Sequence, residues 1–184
     1  MSSTGPIENG EAAFRRYLEG DESAFKEVLE AYFPSLTLFV CGIVHDYHSA
    51  EDIAIDTMTE LVARPERFGF RSSLKTWLFA VARHKALNRL RRQRRIAFTP
   101  LDENAADERS LEDEVIRTDE GKRLHAAISG LPPEMRTAVH LVYIEGMSYA
   151  EAAGVMKKNR KQVDNLLSRA KTLLQAAMGG EEGL

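Results

Sequence analysis

The sequence predicts an all-α protein made of two small helical domains, an N-terminal helical bundle and a C-terminal helix-turn-helix, joined by a flexible acidic linker. Across residues 11–95, apolar side chains recur at spacings of three and four, which is the period of an amphipathic helix. Residues 96–118 are acidic and poor in apolar side chains, as linkers are. Helical spacing resumes across residues 119–178, and no segment shows the apolar–polar alternation of a strand.

Composition limits the classes of function that the chain can have. Its 184 residues are 43% apolar and 29% charged, with a formal net charge of −3. That balance is typical of a globular protein and excludes a uniformly basic coat, so any nucleic-acid surface has to be local. The single cysteine, Cys41, excludes an internal disulfide and a cysteine-based zinc cage. We expect no metal and no cofactor, and a reducing cytoplasm fits best.

Membrane and targeting signals are not expected. The longest apolar run, residues 36–44, is interrupted by Thr37 and Gly42 and falls well short of the roughly 18 residues that span a bilayer. The opening segment MSSTGPIENG is polar and has no basic region leading into an apolar one, so it lacks the pattern of a signal peptide. We therefore predict no integral membrane segment.

Helices joined by short turns are predicted before residue 65. Pro34 is expected to lie at a break between helices, as prolines usually do. Ser49 and Asp52 resemble a capping box that opens a helix running to Arg64, and Pro65 is expected to end that helix. The first two helices are predicted from apolar residues spaced three and four apart: Phe14, Tyr17 and Leu18, then Phe25, Val28, Leu29 and Tyr32.

The stretch at residues 74–95 combines a core ridge with a basic outer face. Leu78, Ala82, Ala86 and Leu90 lie four apart, so one side of this helix is expected to pack. No acid occurs in the stretch or in the three residues before it, whereas a solvated helix usually mixes the two signs. Charge of a single sign favours a polyanion partner, with a merely solvated face as the alternative. The basic residues are Arg71, Lys75, Arg83, Lys85, Arg89, Arg91, Arg92, Arg94 and Arg95.

Three aromatic residues accompany these cations. Phe68, Phe70 and Trp77 lie among basic and small polar residues, a combination on which single-stranded bases stack. Aromatic residues beside a core are more often part of it, and Trp77 falls on the apolar stripe, so we interpret Trp77 as structural. The roles of Phe68 and Phe70 stay open at this point.

The C-terminal part has the layout of a helix-turn-helix. Pro133 is predicted at the first position of a helix, where its missing amide hydrogen costs nothing. Ser148 and Glu151 form a capping box that opens a short helix over residues 149–155. A turn and a longer helix over residues 160–177 follow, with Val163, Leu166, Leu167, Ala170, Leu173 and Leu174 on its inner face.

The outward side of the second helix suits a DNA major groove. Its amide, guanidinium and ammonium groups are those that contact base edges and phosphates. A packed helical hairpin with a solvated basic face explains the same periodicity about equally well. The outward residues are Asn159, Arg160, Lys161, Gln162, Asn165, Ser168, Arg169 and Lys171.

Several segments in order resemble the extracytoplasmic-function sigma factors of bacterial RNA polymerase, members of the sigma-70 superfamily. HSAEDIAIDTMTEL is similar to the family's polymerase-binding segment, and FRSSLKTWLFAVARHKALNRLRRQRR is similar to its minus-ten helix. LPPEMRTAVHLVYIEGMSYAEAAGVM and the helix after it are similar to its minus-thirty-five module. Each motif is weak alone, but their order and spacing together are highly specific.

The resemblance implies a promoter-specificity subunit whose partners are core RNA polymerase and promoter DNA, duplex at the minus-thirty-five element and opened at the minus-ten element. It implies that residues 11–95 bind core polymerase and the minus-ten element, and that residues 119–178 bind the minus-thirty-five element. The basic helix at residues 74–95 and the loop at residues 63–73 would together hold the opened strand and capture an extruded base. Residues 96–118 would be the acidic linker. An anti-sigma factor is a further expected partner, and the bacterial cytoplasm is the expected location.

The charges and the resemblance together give three candidate sets of residues. The minus-ten set is Arg71, Ser72, Lys75, Trp77, Arg83, Lys85, Asn88, Arg89, Arg91 and Arg92. The minus-thirty-five set is Ser148, Tyr149, Asn159, Arg160, Lys161, Gln162, Asn165, Ser168, Arg169 and Lys171. The polymerase set is Glu51, Asp52 and Asp56. No catalytic residue and no metal ligand is expected.

Some positions depart from the family pattern. Ile55 stands where a glutamine is common, and Asn88 stands where an aspartate often precedes arginine-leucine. Both residues of the turn at 157–158 are lysines, where glycine is common, so a left-handed conformation there would cost on the order of 1 kcal/mol. Asp164 and Leu166 replace positions that are often basic. The promoter sequence preference therefore cannot be transferred from relatives.

Two other classes of function remain as alternatives. A free-standing helix-turn-helix repressor or activator would need only duplex DNA, but the basic N-terminal helix and the acidic linker favour the sigma factor. A metal-dependent nuclease using Glu51, Asp52 and Asp56 is a distant third, because no further metal-ligating residue is placed with them.

Overall fold

The computed structural model describes residues 6–97 and 119–179, and every regular element in these ranges is a helix. The chain divides into two compact units, Met1–Asp107 and Glu108–Leu184. The first unit contains α1 (Pro6–Leu18), α2 (Ala24–Val44), α3 (Tyr47–Ala63), a 3-10 turn (Pro65–Arg67) and α4 (Leu74–Ala97). The second contains α5 (Asp119–Ser129), α6 (Pro133–Val139), a π-helical turn (His140–Ile144), α7 (Tyr149–Met156) and α8 (Arg160–Gly179). The all-α prediction is confirmed.

The predicted linker is only partly described. Helix α4 continues through Ile96 and Ala97, the first two positions of the predicted acidic segment. The rest of that segment, residues 98–118, lies outside the described residues. Helix α5 begins at Asp119, where the sequence predicted that helical spacing would resume.

Helix α2 is the central helix of the N-terminal unit and contacts α1, α3 and α4. Its buried side includes Val28, Tyr32, Leu36, Phe39 and Val40, which explains its high apolar content. By length and composition α2 would also pass as a membrane span, the one such helix among the described residues, but core helices pass the same test. The sequence prediction considered only uninterrupted apolar runs. It therefore missed the high mean hydropathy of α2, whose apolar residues are separated by polar ones.

Pro34 lies inside α2, so the predicted break there is wrong. Proline removes one backbone hydrogen bond from a helix, but here its ring is on the exposed side. Two neighbouring hydroxyl groups add hydrogen bonds to other backbone carbonyls of the helix: Ser35 Oγ donates to Tyr32 O at 3.2 Å, and Thr37 Oγ1 donates to Phe33 O at 2.9 Å. The buried residues before and after Pro34 share one core face, and their packing outweighs the local cost.

The start of α3 also differs from the prediction. The N-cap is Asp46, whose Oδ2 accepts from the backbone N–H of Ser49 at 2.9 Å. Ser49 is therefore a buried residue of the first turn, and the predicted capping box with Asp52 is wrong. Hydrogen bonds from the side chain and backbone of Ser49 hold the pKa of Asp46 below its usual range. The end of α3 at Ala63, followed by Pro65, agrees with the prediction.

The N-terminus of α4 is capped partly by another helix. Ser73 Oγ accepts from the backbone N–H of Thr76 at 3.2 Å, as a local cap does. The backbone N–H of Leu74 donates to Glu11 Oε2 of α1 at 3.1 Å. The predicted core ridge is present at Leu78, Ala82 and Ala86, which are fully buried, whereas its fourth member, Leu90, is half-buried. Helix α4 is thus fixed at one end by α1 and along one side by the core.

Helix α8 organises the C-terminal unit and contacts α5, α6 and α7. Pro133 is the first residue of α6, as predicted. Helices α7 and α8 agree with the predicted ranges within two residues. The buried face of α8 is narrower than predicted. Val163, Leu167 and Ala170 are buried, Leu166 and Leu174 are half-buried, and Leu173 is exposed.

Candidate nucleic-acid interface

The basic residues of α4 differ in exposure along the helix. Residues 91–95 are exposed, and Arg83, Lys85 and Arg89 are partly exposed. Lys75 is only 8% exposed, and its Nζ lies 5.8 Å from the centroid of the Phe79 ring. Lys75 therefore belongs to the packing of the domain, which argues against its predicted place on an outer DNA surface.

Lys85 has partners on α3 that the local sequence did not reveal. Its Nζ lies 3.1 Å from Glu60 Oε2 and donates to the backbone carbonyl of Asp56 at 3.2 Å. Glu60 also pairs with Arg67 at 2.7 Å. Burial raises the pKa of Glu60, but hydrogen bonds and charge from Arg67 and Lys85 outweigh it, so the net shift is downward. Lys85 therefore joins α3 to α4, and its charge is compensated.

Asn88 lies in a chain of polar contacts on α4. Its Nδ2 is 3.3 Å from His84 Nε2, and its Oδ1 accepts from Arg91 Nη1 at 3.3 Å. The side chain that departs from the family pattern thus orients a neighbouring arginine. An aspartate here would hold Arg91 more tightly through charge.

A groove of about 440 Å³ runs between α3 and α4. It brings Asp56, a predicted polymerase residue, together with Asn88, Arg89 and Arg92 of the predicted minus-ten set. Arg89 Nε is buried and has no hydrogen-bond partner among the described residues. The predicted sets for polymerase and minus-ten DNA are therefore adjacent. Lys85, Gln93, Ile53 and Ile96 complete the lining.

The three predicted polymerase carboxylates lie on α3. Asp52 and Asp56 are exposed, and Glu51 is half-buried. Ile55, between them, is 49% exposed, which makes this face both acidic and apolar. Among the described residues no group of histidine, cysteine and carboxylate side chains is placed to hold a metal ion, and these three form none.

The two aromatic residues of the loop between α3 and α4 differ in exposure. Phe68 is buried against Phe14 and Trp77, whereas Phe70 is 42% exposed. Gly69 and Phe70 both have positive φ, of 59° and 51°. A bulky residue rarely adopts such a conformation, and strain of this kind concentrates at functional sites. Phe70 is therefore displayed on the surface by a strained backbone, while Phe68 supports it at 4.6 Å between ring centroids.

Arg15 of α1 lies over the exposed ring of Phe70, with Cζ 4.4 Å from the ring centroid. Its Nη2 also donates to Glu11 Oε1 at 3.2 Å. Trp77 is half-buried and packs edge-on against Phe68, while Arg71 and Ser72 are exposed nearby in sequence. Sequence reasoning missed Arg15 and left Phe70 open. The Gly-aromatic pair in a basic loop was a usable signal for Phe70, but nothing local pointed to a residue 55 positions earlier.

In the C-terminal unit, the predicted capping box at the start of α7 is confirmed. Ser148 Oγ accepts from the backbone N–H of Glu151 at 3.2 Å, and Glu151 Oε2 accepts from that of Ser148 at 2.8 Å. Desolvation raises the pKa of Tyr149, and the nearby Tyr143 and Asp164 raise it further. The hydroxyl of Ser148 is therefore used by the cap, and Tyr149 lies beside the start of the second helix.

A second reciprocal cap opens α8. Gln162 N–H donates to Asn159 Oδ1 at 2.8 Å, and Asn159 N–H donates to Gln162 Oε1 at 2.9 Å. Both side chains belong to the predicted minus-thirty-five set, yet their oxygens are taken by the backbone. The other exposed members of that set on α8 are Arg160, Lys161, Asn165, Ser168, Arg169 and Lys171.

Comparison with known proteins agrees with this geometry. The family model for Sigma-70 region 2 matches residues 28–96, and that for Sigma-70, region 4 matches residues 121–174. The RNA polymerase sigma-H factor of Pseudomonas aeruginosa is 28% identical over 93% of this chain and 94% of its own length. The ECF RNA polymerase sigma factor SigX of Bacillus subtilis is 26% identical over 85% of this chain and 84% of its own length.

Solved structures give the same fold. The sigma factor RpoE of Bartonella quintana, in complex with the anti-sigma factor NepR, superimposes with a TM-score of 0.64 at 25% identity, covering 86% of this chain and 98% of that one. CnrH, in complex with the cytosolic domain of CnrY, superimposes with a TM-score of 0.66 at 20% identity, covering 95% of this chain and 99% of that one. With both family regions matched in order on two helical units, the chain belongs to the sigma-70 family of RNA polymerase sigma factors, in its extracytoplasmic-function group.

Proposed function

We propose that this sigma factor binds core RNA polymerase through its N-terminal unit and recognises the two promoter elements with separate units. The observation that carries this assignment is the presence of an exposed basic surface on each unit, at residues 91–95 of α4 and at the outer face of α8. Residues 11–95 would serve the polymerase and the minus-ten element, and residues 119–178 the minus-thirty-five element. The protein has no catalytic step of its own in this scheme and acts in the bacterial cytoplasm.

The N-terminal unit would hold the opened minus-ten strand. Exposed arginines at the end of α4 supply charge for phosphates, and Phe70 offers a ring face for an unpaired base. Arg15 covers that ring in the free protein, so a stacking base would displace it or stack against its guanidinium. Lys75 and Lys85 are left out of this surface because one is buried and the other is paired.

The polymerase-binding face would be the acidic and apolar side of α3. Asp52 and Asp56 are exposed and Ile55 lies between them. Asp52→Arg should then weaken binding to core polymerase, whereas Glu22→Arg, the same change at an exposed acid outside α3, should not. Equal effects of the two substitutions would argue against this face.

An anti-sigma factor is a proposed partner. The superimposed RpoE structure is a complex with the anti-sigma factor NepR, at 25% identity to this chain. The groove between α3 and α4, which joins the polymerase and minus-ten sets, is the surface that such an inhibitor would have to cover.

Run-off transcription tests the proposal. Purified core polymerase with the full-length chain should give transcripts from a subset of a genomic promoter library, where core alone gives none. No gain over core alone would overturn it. Failure to bind core polymerase, together with tight binding of the isolated protein to duplex DNA, would instead establish the free-standing repressor or activator.

A further inference from the structure

We propose that Lys161 and Asn165 are the base-reading pair of α8, with Asn165 recognising an adenine and Lys161 a guanine, while Asn159 and Gln162 serve only to start the helix. This inference rests on the proposed function, in which residues 119–178 bind the minus-thirty-five element, and it takes α8 as the helix that enters the major groove. It divides the candidate residues into base readers and structural groups, which the sequence could not do.

The side-chain amides of Asn159 and Gln162 already accept hydrogen bonds from the backbone at the start of α8. Reading adenine with an amide side chain needs the oxygen as acceptor and the nitrogen as donor, toward N6 and N7 of the same base. The oxygens of Asn159 and Gln162 accept from backbone N–H groups at 2.8 and 2.9 Å. Base contact would therefore release two amide hydrogens at the helix start, at a cost in stability.

Asn165 and Lys161 are in the opposite situation. Neither side chain has a hydrogen bond or ion pair with another described residue, and both are exposed. Each lies two positions from Val163, which is fully buried, so at 3.6 residues per turn both face away from the core. They are the second and sixth residues of α8, within the N-terminal part of a recognition helix that reaches base edges.

The spacing of the pair fits neighbouring positions in DNA. Four residues of helix rise about 6 Å, which is less than two base-pair steps of about 3.4 Å each. An amide matches the acceptor and donor of adenine, and an ammonium group donates to O6 and N7 of guanine. We therefore expect a guanine and an adenine within about two base pairs of each other in the minus-thirty-five element.

The experiment is run-off transcription by core polymerase with the full-length chain on a promoter library randomised across the minus-thirty-five element. The wild type should select an adenine at one position and a guanine nearby. Asn165→Ala should reduce the preference for the adenine by about 5- to 140-fold and leave the guanine unchanged. Lys161→Ala should remove the preference for guanine and leave the preference for adenine unchanged. Both residues are exposed, so circular dichroism should show an unchanged fold.

Asn159→Ser is the matched control, because serine keeps an N-cap oxygen but cannot read adenine with two hydrogen bonds. It should retain the wild-type base preference at every position. The inference is overturned if Asn165→Ala keeps the wild-type preferences, or if Asn159→Ser loses one. No transcription by the wild type on any promoter would instead be a failure of the proposed function itself.

Discussion

Lys157 holds a left-handed backbone conformation in the turn between α7 and α8, with φ 53° and ψ 44°. The sequence raised this possibility, since lysines stand where the family commonly has glycine. A side chain in this conformation costs about 1 kcal/mol, which glycine avoids. Lys157→Gly should therefore stabilise the C-terminal unit by about 1 kcal/mol, measured by urea unfolding followed by circular dichroism.

Lys157→Ala is the control for the loss of charge, because alanine keeps the strained conformation. It should bring no gain in stability. A second internal check is Trp77, the only tryptophan, which lies in the N-terminal unit. Its fluorescence transition should stay unchanged in both variants. Equal stabilisation by glycine and alanine would contradict the argument from strain.

Gly10 in α1 lies against the ring of Tyr32 in α2, which leaves no room for a larger side chain. A Cβ added at Gly10 would lie 2.5 Å from Cε2 of that ring, which is buried in the core, so the ring or the helix would have to shift. Gly10→Ala should therefore destabilise the N-terminal unit by about 1–3 kcal/mol, as overpacking does. Urea unfolding followed by Trp77 fluorescence measures the effect.

Gly42→Ala provides the matched comparison. Gly42 lies inside α2, and an added Cβ would meet nothing within 4 Å. Alanine should stabilise this helix position by about 1 kcal/mol, so the two substitutions should have opposite signs. A loss of stability in both would show that the ring contact is not the cause.

At the scale of elements, α4 depends on α1 for part of its N-terminal cap. Glu11→Ala removes the acceptor of the Leu74 N–H and the partner of Arg15. We expect a loss of about 1–2 kcal/mol in the N-terminal unit, measured by Trp77 fluorescence in urea. Glu11→Gln keeps a side-chain oxygen and should retain most of the stability. If the two variants lost equal stability, the ion pair with Arg15 rather than the cap would be the main contribution.

The helices were predictable wherever their start signals are local. The Ser148–Glu151 box and Pro133 each fix a helix start within a few residues, and the structure confirms them. Ser49 and Pro34 were misread because a nearby aspartate is a better cap and because core packing overrides a proline. Local rules fail where a competing partner lies just outside the pattern or across the fold.

The candidate surfaces were predictable in outline but not in detail. A run of basic residues without acids was visible in α4, but the partner of Lys85, Glu60, lies on α3 and is 25 positions earlier. In the same way, the Arg15–Phe70 contact joins distant parts of the chain. Charge can be counted from sequence, whereas its compensation depends on tertiary structure.

For the whole molecule, a net charge of −3 means that binding to DNA depends on local basic surfaces rather than on overall attraction. Arg92 is exposed on α4, and Lys26 is exposed on α2, where it pairs with Glu30 at 3.6 Å. Arg92→Gln and Lys26→Gln each remove one positive charge, so they leave the same net charge on the chain.

Only the change at Arg92 should alter the salt dependence of binding to the opened minus-ten strand. Each phosphate contact to a single strand contributes about 0.7 to the slope of log K against log salt, through counterion release. With polymerase bound to the full-length chain, Arg92→Gln should lower that slope by about 0.7 for every sequence tested, whereas Lys26→Gln should not change it. Binding of a fluorescent single strand at several salt concentrations measures both. Equal slopes for the two variants would place the electrostatic contact away from the end of α4.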